Sequence, residues 1–190
     1  MNRSKHAVLE PIIFIGMAGV GKTTIAKSIA KKTKSRFLDI DSVIMNHYNA
    51  PLDTIIRELG HDTFIATEAA FVRNHLKPNT ILAPGGSFVY GLNTNTDIIN
   101  QSIIIYLYDT PAAILKRIPN IETRGIVGLG PKSFEDIWAE RHELYNKLAH
   151  IRFNVGEYGL SESINRIQFI IDLMRVPEDR ADSHPSRKHL

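Results

Sequence analysis

Residues 16–23 read Gly-Met-Ala-Gly-Val-Gly-Lys-Thr, and they constrain the fold more than any other stretch of the chain. The pattern Gly-x4-Gly-Lys-Thr works only where a strand delivers the chain to it and a helix carries the chain away. Both flanks are present. Pro11-Ile-Ile-Phe-Ile15 is a short apolar run rich in β-branched residues, as a buried strand requires. Ile25-Ala26 and Ile29-Ala30 then recur at helical spacing. Glycines at 16, 19 and 21 let backbone N–H groups turn inward toward a phosphate, and the start of the helix adds partial positive charge. Lys22 is placed as a point charge for terminal phosphates, and the Thr23 hydroxyl is a hard oxygen of the kind Mg²⁺ prefers. The expected nucleotide contacts are therefore Gly16, Ala18, Gly19, Val20, Gly21, Lys22, Thr23 and Thr24. ATP or GTP fits, ATP being the commoner of the two.

Further strands are expected over 36–38, 80–83, 102–108 and 151–155, in addition to 12–15. Several are nearly continuous apolar runs, which suits parallel strands covered on both faces. Helical patterns lie between them, over 22–32, 52–59, 63–76, 111–118, 133–149 and 161–175. The alternation predicts an α/β domain of three layers, with a parallel five-stranded sheet flanked by helices. Thr110-Pro111 reads as a helix cap followed by a first-turn proline, and Ser133 with Asp136 as a second cap. Residues 119–131 hold three glycines and two prolines between two helices, the composition of a mobile lid. Residues 1–176 form the expected domain, and 177–190, without apolar periodicity, an expected disordered tail.

Composition narrows the class. At 190 residues with 43% hydrophobic and 23% charged residues, the chain fits one soluble globular domain. A net charge of +3 is too small to argue for a nucleic-acid partner. Cysteine is absent, so neither disulfides nor thiolate chemistry can operate. The first 16 residues lack the pattern of a signal peptide, and no apolar run approaches a membrane span. A cytoplasmic location with no membrane partner is the expectation.

Phe37-Leu-Asp39-Ile-Asp41 sets two carboxylates at the carboxyl end of an expected parallel strand, the end at which open α/β sheets bind ligands. Asp39 is a candidate for the magnesium shell. Asp41 can take a proton or hydrogen bond from a substrate hydroxyl, or it can simply cap a helical segment over 42–48. Arg141 falls on the apolar stripe Phe134, Ile137, Trp138, Leu144, Tyr145 and Leu148. A charge on such a face needs a core acid, a path to solvent or a bound anion.

The ordered set GMAGVGKTT, FLDIDSVI, ILAPGGS, the Arg of TRGIVG and AERHELYNKLAH resembles shikimate kinase, a branch of the P-loop kinases related to nucleoside monophosphate kinases. The resemblance runs from about residue 12 to about residue 174. It implies ATP-dependent phosphorylation of a small hydroxylated acid, shikimate being the default, with Mg²⁺ as cofactor and a monomer as the working form. It assigns catalysis to Lys22, Asp41 and Arg124, metal binding to Thr23 and Asp39, and acceptor binding to Asp41, Gly85, Gly86 and Arg141. Arg117 takes the family's place for stacking on adenine, and Arg124 that of the lid arginine that reaches the γ-phosphate.

Two acceptor-side positions depart from the family pattern. Ile65 stands where the family has an arginine that clamps the substrate carboxylate, and Ser87 stands where it has a third glycine; His61 also replaces a glutamate. The helix over 63–76 is expected to carry residue 65 toward the acceptor, and Arg57 or Arg73 is left as a possible substitute charge. Two other outcomes stay open at this level: the same chemistry on another acceptor, such as a cyclic polyol or nucleoside, and a nucleotide-binding regulatory module without efficient transfer.

Overall fold

A computed structural model describes residues 9–118, 121 and 126–174. The expected tail, most of the first half of the expected lid and Arg124 lie outside the described residues.

Strand β1 (Ile12–Ile15) has four buried side chains, as a run with no polar alternation must in the middle of a sheet. It pairs in parallel with β3 (Thr80–Ala83) on one side and β4 (Ile103–Tyr108) on the other. Strand β2 (Arg36–Asp39) extends the sheet beyond β3, and β5 (Ile151–Asn154) extends it beyond β4. The order is β2-β3-β1-β4-β5, all parallel. All five carboxyl ends therefore open on one edge of the sheet. Each fully buried isoleucine or phenylalanine of β1 contributes about 1.5–3 kcal/mol.

Helix α1 (Lys22–Thr33) leaves the glycine loop and packs on β3 and on α9 (Leu160–Leu173). Helices α2 (Ile40–Tyr48), α3 (Leu52–Leu59) and α4 (His61–His75) pack on one another beyond β2. Two short helices, α5 (Phe88–Asn93) and α6 (Thr96–Asn100), lie between β3 and β4. Helix α7 (Pro111–Leu115) follows β4, and α8 (Phe134–Leu148) packs on both β4 and α5. The caps form as expected. Thr110 Oγ1 accepts the Ala113 N–H, and Ser133 and Asp136 accept each other's backbone N–H in a reciprocal box.

Helices α5 and α6 escape the sequence pattern, and α2 extends the helical segment that the sequence left open over 42–48. α2 follows β2 without a loop, because Asp39 is both the last strand residue and the helix N-cap. α5 and α6 are short and hold Gly91, Asn93 and Asn100, poor helix formers. α5 has a packing reason for its glycine: a Cβ at Gly91 would sit 3.2 Å from the Ala69 Cβ and 3.2 Å from the Ile65 carbonyl oxygen of α4. Among the described residues no helix is long and apolar enough to cross a membrane.

Candidate active site

The glycine loop joins β1 to α1 under tight contact. Gly16 has φ 143°, and a Cβ there would lie 2.3 Å from the Leu107 carbonyl oxygen of β4. No L side chain fits that space. Lys22, in the first turn of α1, is buried, and its Nζ donates to the carbonyl oxygens of Gly16 and Met17 at 2.8 and 3.1 Å. Burial lowers its pKa to about 8, against the opposing pull of the Asp41, Glu68 and Asp39 carboxylates; Arg141 adds to the lowering.

Asp39 does two jobs at the end of β2. Its Oδ1 accepts the Ser42 N–H and caps α2, and its Oδ2 accepts the Thr23 hydroxyl at 2.9 Å. The cap of this helix is thus Asp39 and not Asp41, which sits in the first turn and lines the cavity. Thr23 and Asp39 bring two hard oxygens together beside the phosphate loop. Among the described residues no group of three or more His, Asp or Glu forms a protein cage for a metal. This donor set fits Mg²⁺, which usually takes one or two protein oxygens and completes its octahedron from phosphate and water.

A cavity of about 390 Å³ runs from the loop to the acceptor side. Of the expected residues, Ala18, Gly19, Gly21, Lys22, Thr23, Thr24, Asp41, Gly85, Gly86, Arg117 and Arg141 line it. Gly16 and Val20 shape the loop from behind. A Cβ at Gly85 would come within 2.9 Å of both Asp41 Oδ1 and Glu68 Oε1. The glycine is what allows two carboxylates to close around this point.

Arg141 projects from α8 and is 1% exposed. Its Nη2 donates to the Val127 carbonyl oxygen at 2.7 Å, its Nε reaches the Tyr90 hydroxyl at 3.4 Å, and its guanidinium carbon lies 5.2 Å from the Tyr90 ring centroid. It neither reaches solvent along its own stem nor forms an ion pair among the described residues. Its open side is the cavity. Arg117 sits at the other end, half-exposed and paired with Asp109.

Sequence reasoning missed Glu68. It is fully buried on α4, its Oε1 accepts the Gly85 N–H at 2.7 Å, and its Oε2 accepts the Ser87 hydroxyl at 3.1 Å. Burial, then the neighbouring Asp41 charge, raise its pKa well above the ordinary carboxyl range. Phe64, Glu68 and Val72 share one buried face of α4 at four-residue spacing, so the test that singled out Arg141 would also have found it.

The expected direction of Ile65 needs correction. Its side chain and carbonyl pack on Gly91 of α5, and Phe64 is the α4 residue that lines the cavity. Neither candidate substitute charge lines it. Arg57 is exposed on α3, and Arg73 is held on the surface by Asp97 and Asn95.

A family model described as shikimate kinase matches residues 18–171. The chain belongs to the shikimate kinase family. It is therefore a small-molecule kinase of the P-loop class. Shikimate kinase of Enterococcus faecalis is 28% identical over 162 residues, covering 84% of this chain and 96% of that one. Shikimate kinase of Staphylococcus aureus is 30% identical over 168 residues, covering 85% and 91%. The fold matches that of shikimate kinase from Acinetobacter baumannii in complex with shikimate, with a TM-score of 0.75 at 23% identity, over 87% of this chain and 94% of that one. In this member of the family the phosphate loop, Asp41 and Arg141 of the expected pattern meet around one cavity, Asp39 is tied to it by the Thr23 hydroxyl, and position 65 faces a neighbouring helix.

Proposed function

We propose that this shikimate kinase homologue transfers the γ-phosphoryl group of ATP to a hydroxyl of a small acceptor, shikimate being the first candidate. The observation that carries the reading is that Lys22, Asp41 and Arg141 line the same cavity. The triphosphate lies on the loop N–H groups with Lys22 beside its terminal phosphates. The acceptor lies against Gly85 and Gly86, its anionic part toward Arg141. Its hydroxyl faces Asp41, which takes the proton as the new oxygen–phosphorus bond forms and the bond to the ADP oxygen breaks. Mg²⁺ held by Thr23 and Asp39 supplies charge neutralisation at the phosphate oxygens when bound. Arg124 keeps the γ-phosphate role that the family resemblance gives it. A monomer in the cytoplasm completes the proposal, the oligomeric state being readable by light scattering.

A second acceptor class is favoured by one observation. Position 65 lacks a guanidinium, and neither Arg57 nor Arg73 lines the cavity. The described acceptor side therefore offers one cation, Arg141, among Met45, Leu52, Phe64 and Ile126. Such a wall suits a cyclic polyol with little negative charge. ADP release, measured across shikimate, its decarboxylated analogue, other cyclic hydroxy acids and nucleosides, separates the two. We expect acceptor-dependent ADP release that falls by about a hundredfold or more in Lys22→Ala. No acceptor-dependent release from any compound would leave a nucleotide-binding module as the better reading.

A further inference from the structure

We propose that Asp109 is a positioning residue for the nucleotide base, holding the Arg117 guanidinium in place as one wall of the base slot. The inference rests on the proposed reading of this site as an ATP site. Asp109 directly follows β4 and is only 6% exposed, yet it plays no part in the phosphoryl chemistry. A buried carboxylate persists only where something answers its charge. Arg117 Nη2 donates to its Oδ2 at 2.6 Å, and the Thr110 N–H donates to its Oδ1 at 2.7 Å. Its backbone carbonyl accepts the Trp138 indole N–H of α8 at 3.2 Å. Both carboxylate oxygens and the backbone carbonyl of this residue are thus engaged before any ligand arrives.

What it anchors is informative. A second cavity of about 450 Å³ shares Gly19, Gly21, Thr24 and Arg117 with the main one, and is closed by Val155, Tyr158 and Leu160 of the turn from β5 into α9. A purine whose phosphates lie on the loop has this slot directly beside it. Asp109 lies between Arg117 of the slot and the turn that follows β5. It grips Arg117 on one side, and on the other a Cβ at Gly156 would stand 2.4 Å from its Oδ1. A half-exposed arginine without a partner would have to surrender its rotamer freedom when the base binds. With Asp109 at one edge of the guanidinium, that ordering occurs on folding, and the flat face stays available for a ring. The pair also keeps Arg117 from swinging onto the triphosphate.

The test compares ATP with inorganic tripolyphosphate, which has no base, by calorimetry on the full chain. Asp109→Asn keeps the shape and removes the charge. It should weaken ATP about three- to tenfold and leave tripolyphosphate unchanged, the size of a lost guanidinium–ring contact. Arg117→Met should give the same selective loss, and adding Asp109→Asn to it should change ATP affinity little further. Equal weakening of both ligands, no weakening of ATP, or a full Asp109→Asn effect in the Arg117→Met background would each overturn the proposal. If wild type binds ATP no more tightly than tripolyphosphate, the base slot itself is wrong. If it binds neither, the ATP reading fails with it.

Discussion

Arg141 lines the cavity and Glu68 lies buried behind its wall at Gly85, and each has a separate experimental signature. Arg141 donates to the Val127 carbonyl and turns its remaining surface to the acceptor side. Arg141→Ala should raise the acceptor KM about ten- to a hundredfold, the usual worth of a charge-assisted hydrogen bond. ATP affinity should stay near the wild-type value in the same titrations. A fall in nucleotide affinity instead would mean that the residue serves the phosphates. Glu68 has a different signature because its pKa is raised in the fold. Between its ordinary value of 4.5 and its elevated folded value, the native state holds more protons than the unfolded state, so stability falls as pH rises. Lys22, lowered from 10.5 to about 8, acts with the opposite slope, and only above about pH 8. Glu68→Gln removes the first effect alone. Urea titrations from about pH 5 to about pH 8 should therefore show the variant gaining on wild type as pH rises. A constant difference would mean that Glu68 is ionised in the fold throughout. Arg141 was legible in the sequence because one helix face betrays a misplaced charge. Glu68 was equally legible by that test. The direction of Ile65 was not, because α4 is turned by its contact with Gly91, a residue 26 positions later in the chain.

At the scale of elements, the strands stood out clearly. β1, β3 and β4 are buried almost throughout because both faces are covered, and their ends fall within a residue or two of where the pattern puts them. Short helices carry no such signal. The helical segment over 42–48 left open which carboxylate caps it, and the structure gives that place to Asp39, while the Asn- and Gly-bearing α5 is held by its neighbours rather than by its own propensity. The continuous described stretch of the expected lid, from 126 to 131, touches the site through Ile126 and Val127. Its only tie to Arg141 among the described residues is the Val127 carbonyl. Amide exchange over 126–131 should slow when a non-hydrolysable ATP analogue and an acceptor bind together, and less with either alone. Unchanged protection would argue against closure.

On the scale of the whole molecule, the site belongs to no single segment. The loop after β1, the carboxylates after β2, the glycines after β3, Asp109 after β4 and the turn after β5 all lie at one edge because the five strands run the same way. The sequence pattern implied parallel strands, but not that β1 would sit between β3 and β4, since strand order depends on which helices cover which face. Ligands that bridge so many segments should stabilise all of them together. A nucleotide at about 100 times its Kd adds about 2.7 kcal/mol, which for a chain of this size raises the Tm by about 5–10 °C. Differential scanning fluorimetry with and without ATP and Mg²⁺ measures it, and a shift below about 1 °C would contradict the ATP reading.

The central place of β1 also sets a timetable for synthesis. The phosphate loop leaves the ribosome among the first residues, but the strands that flank β1 do not. Its register with β4 runs to Ile15 against Tyr106, and Gly16 closes on the Leu107 carbonyl. The loop must therefore wait about 85 residues beyond Thr23, or roughly 4–17 s of translation, before it can take its shape. During that interval the Ile-Ile-Phe-Ile strand is an uncovered apolar segment in the nascent chain, the kind that chaperones bind, and the enzyme acquires its nucleotide grip only when more than half of it has been made.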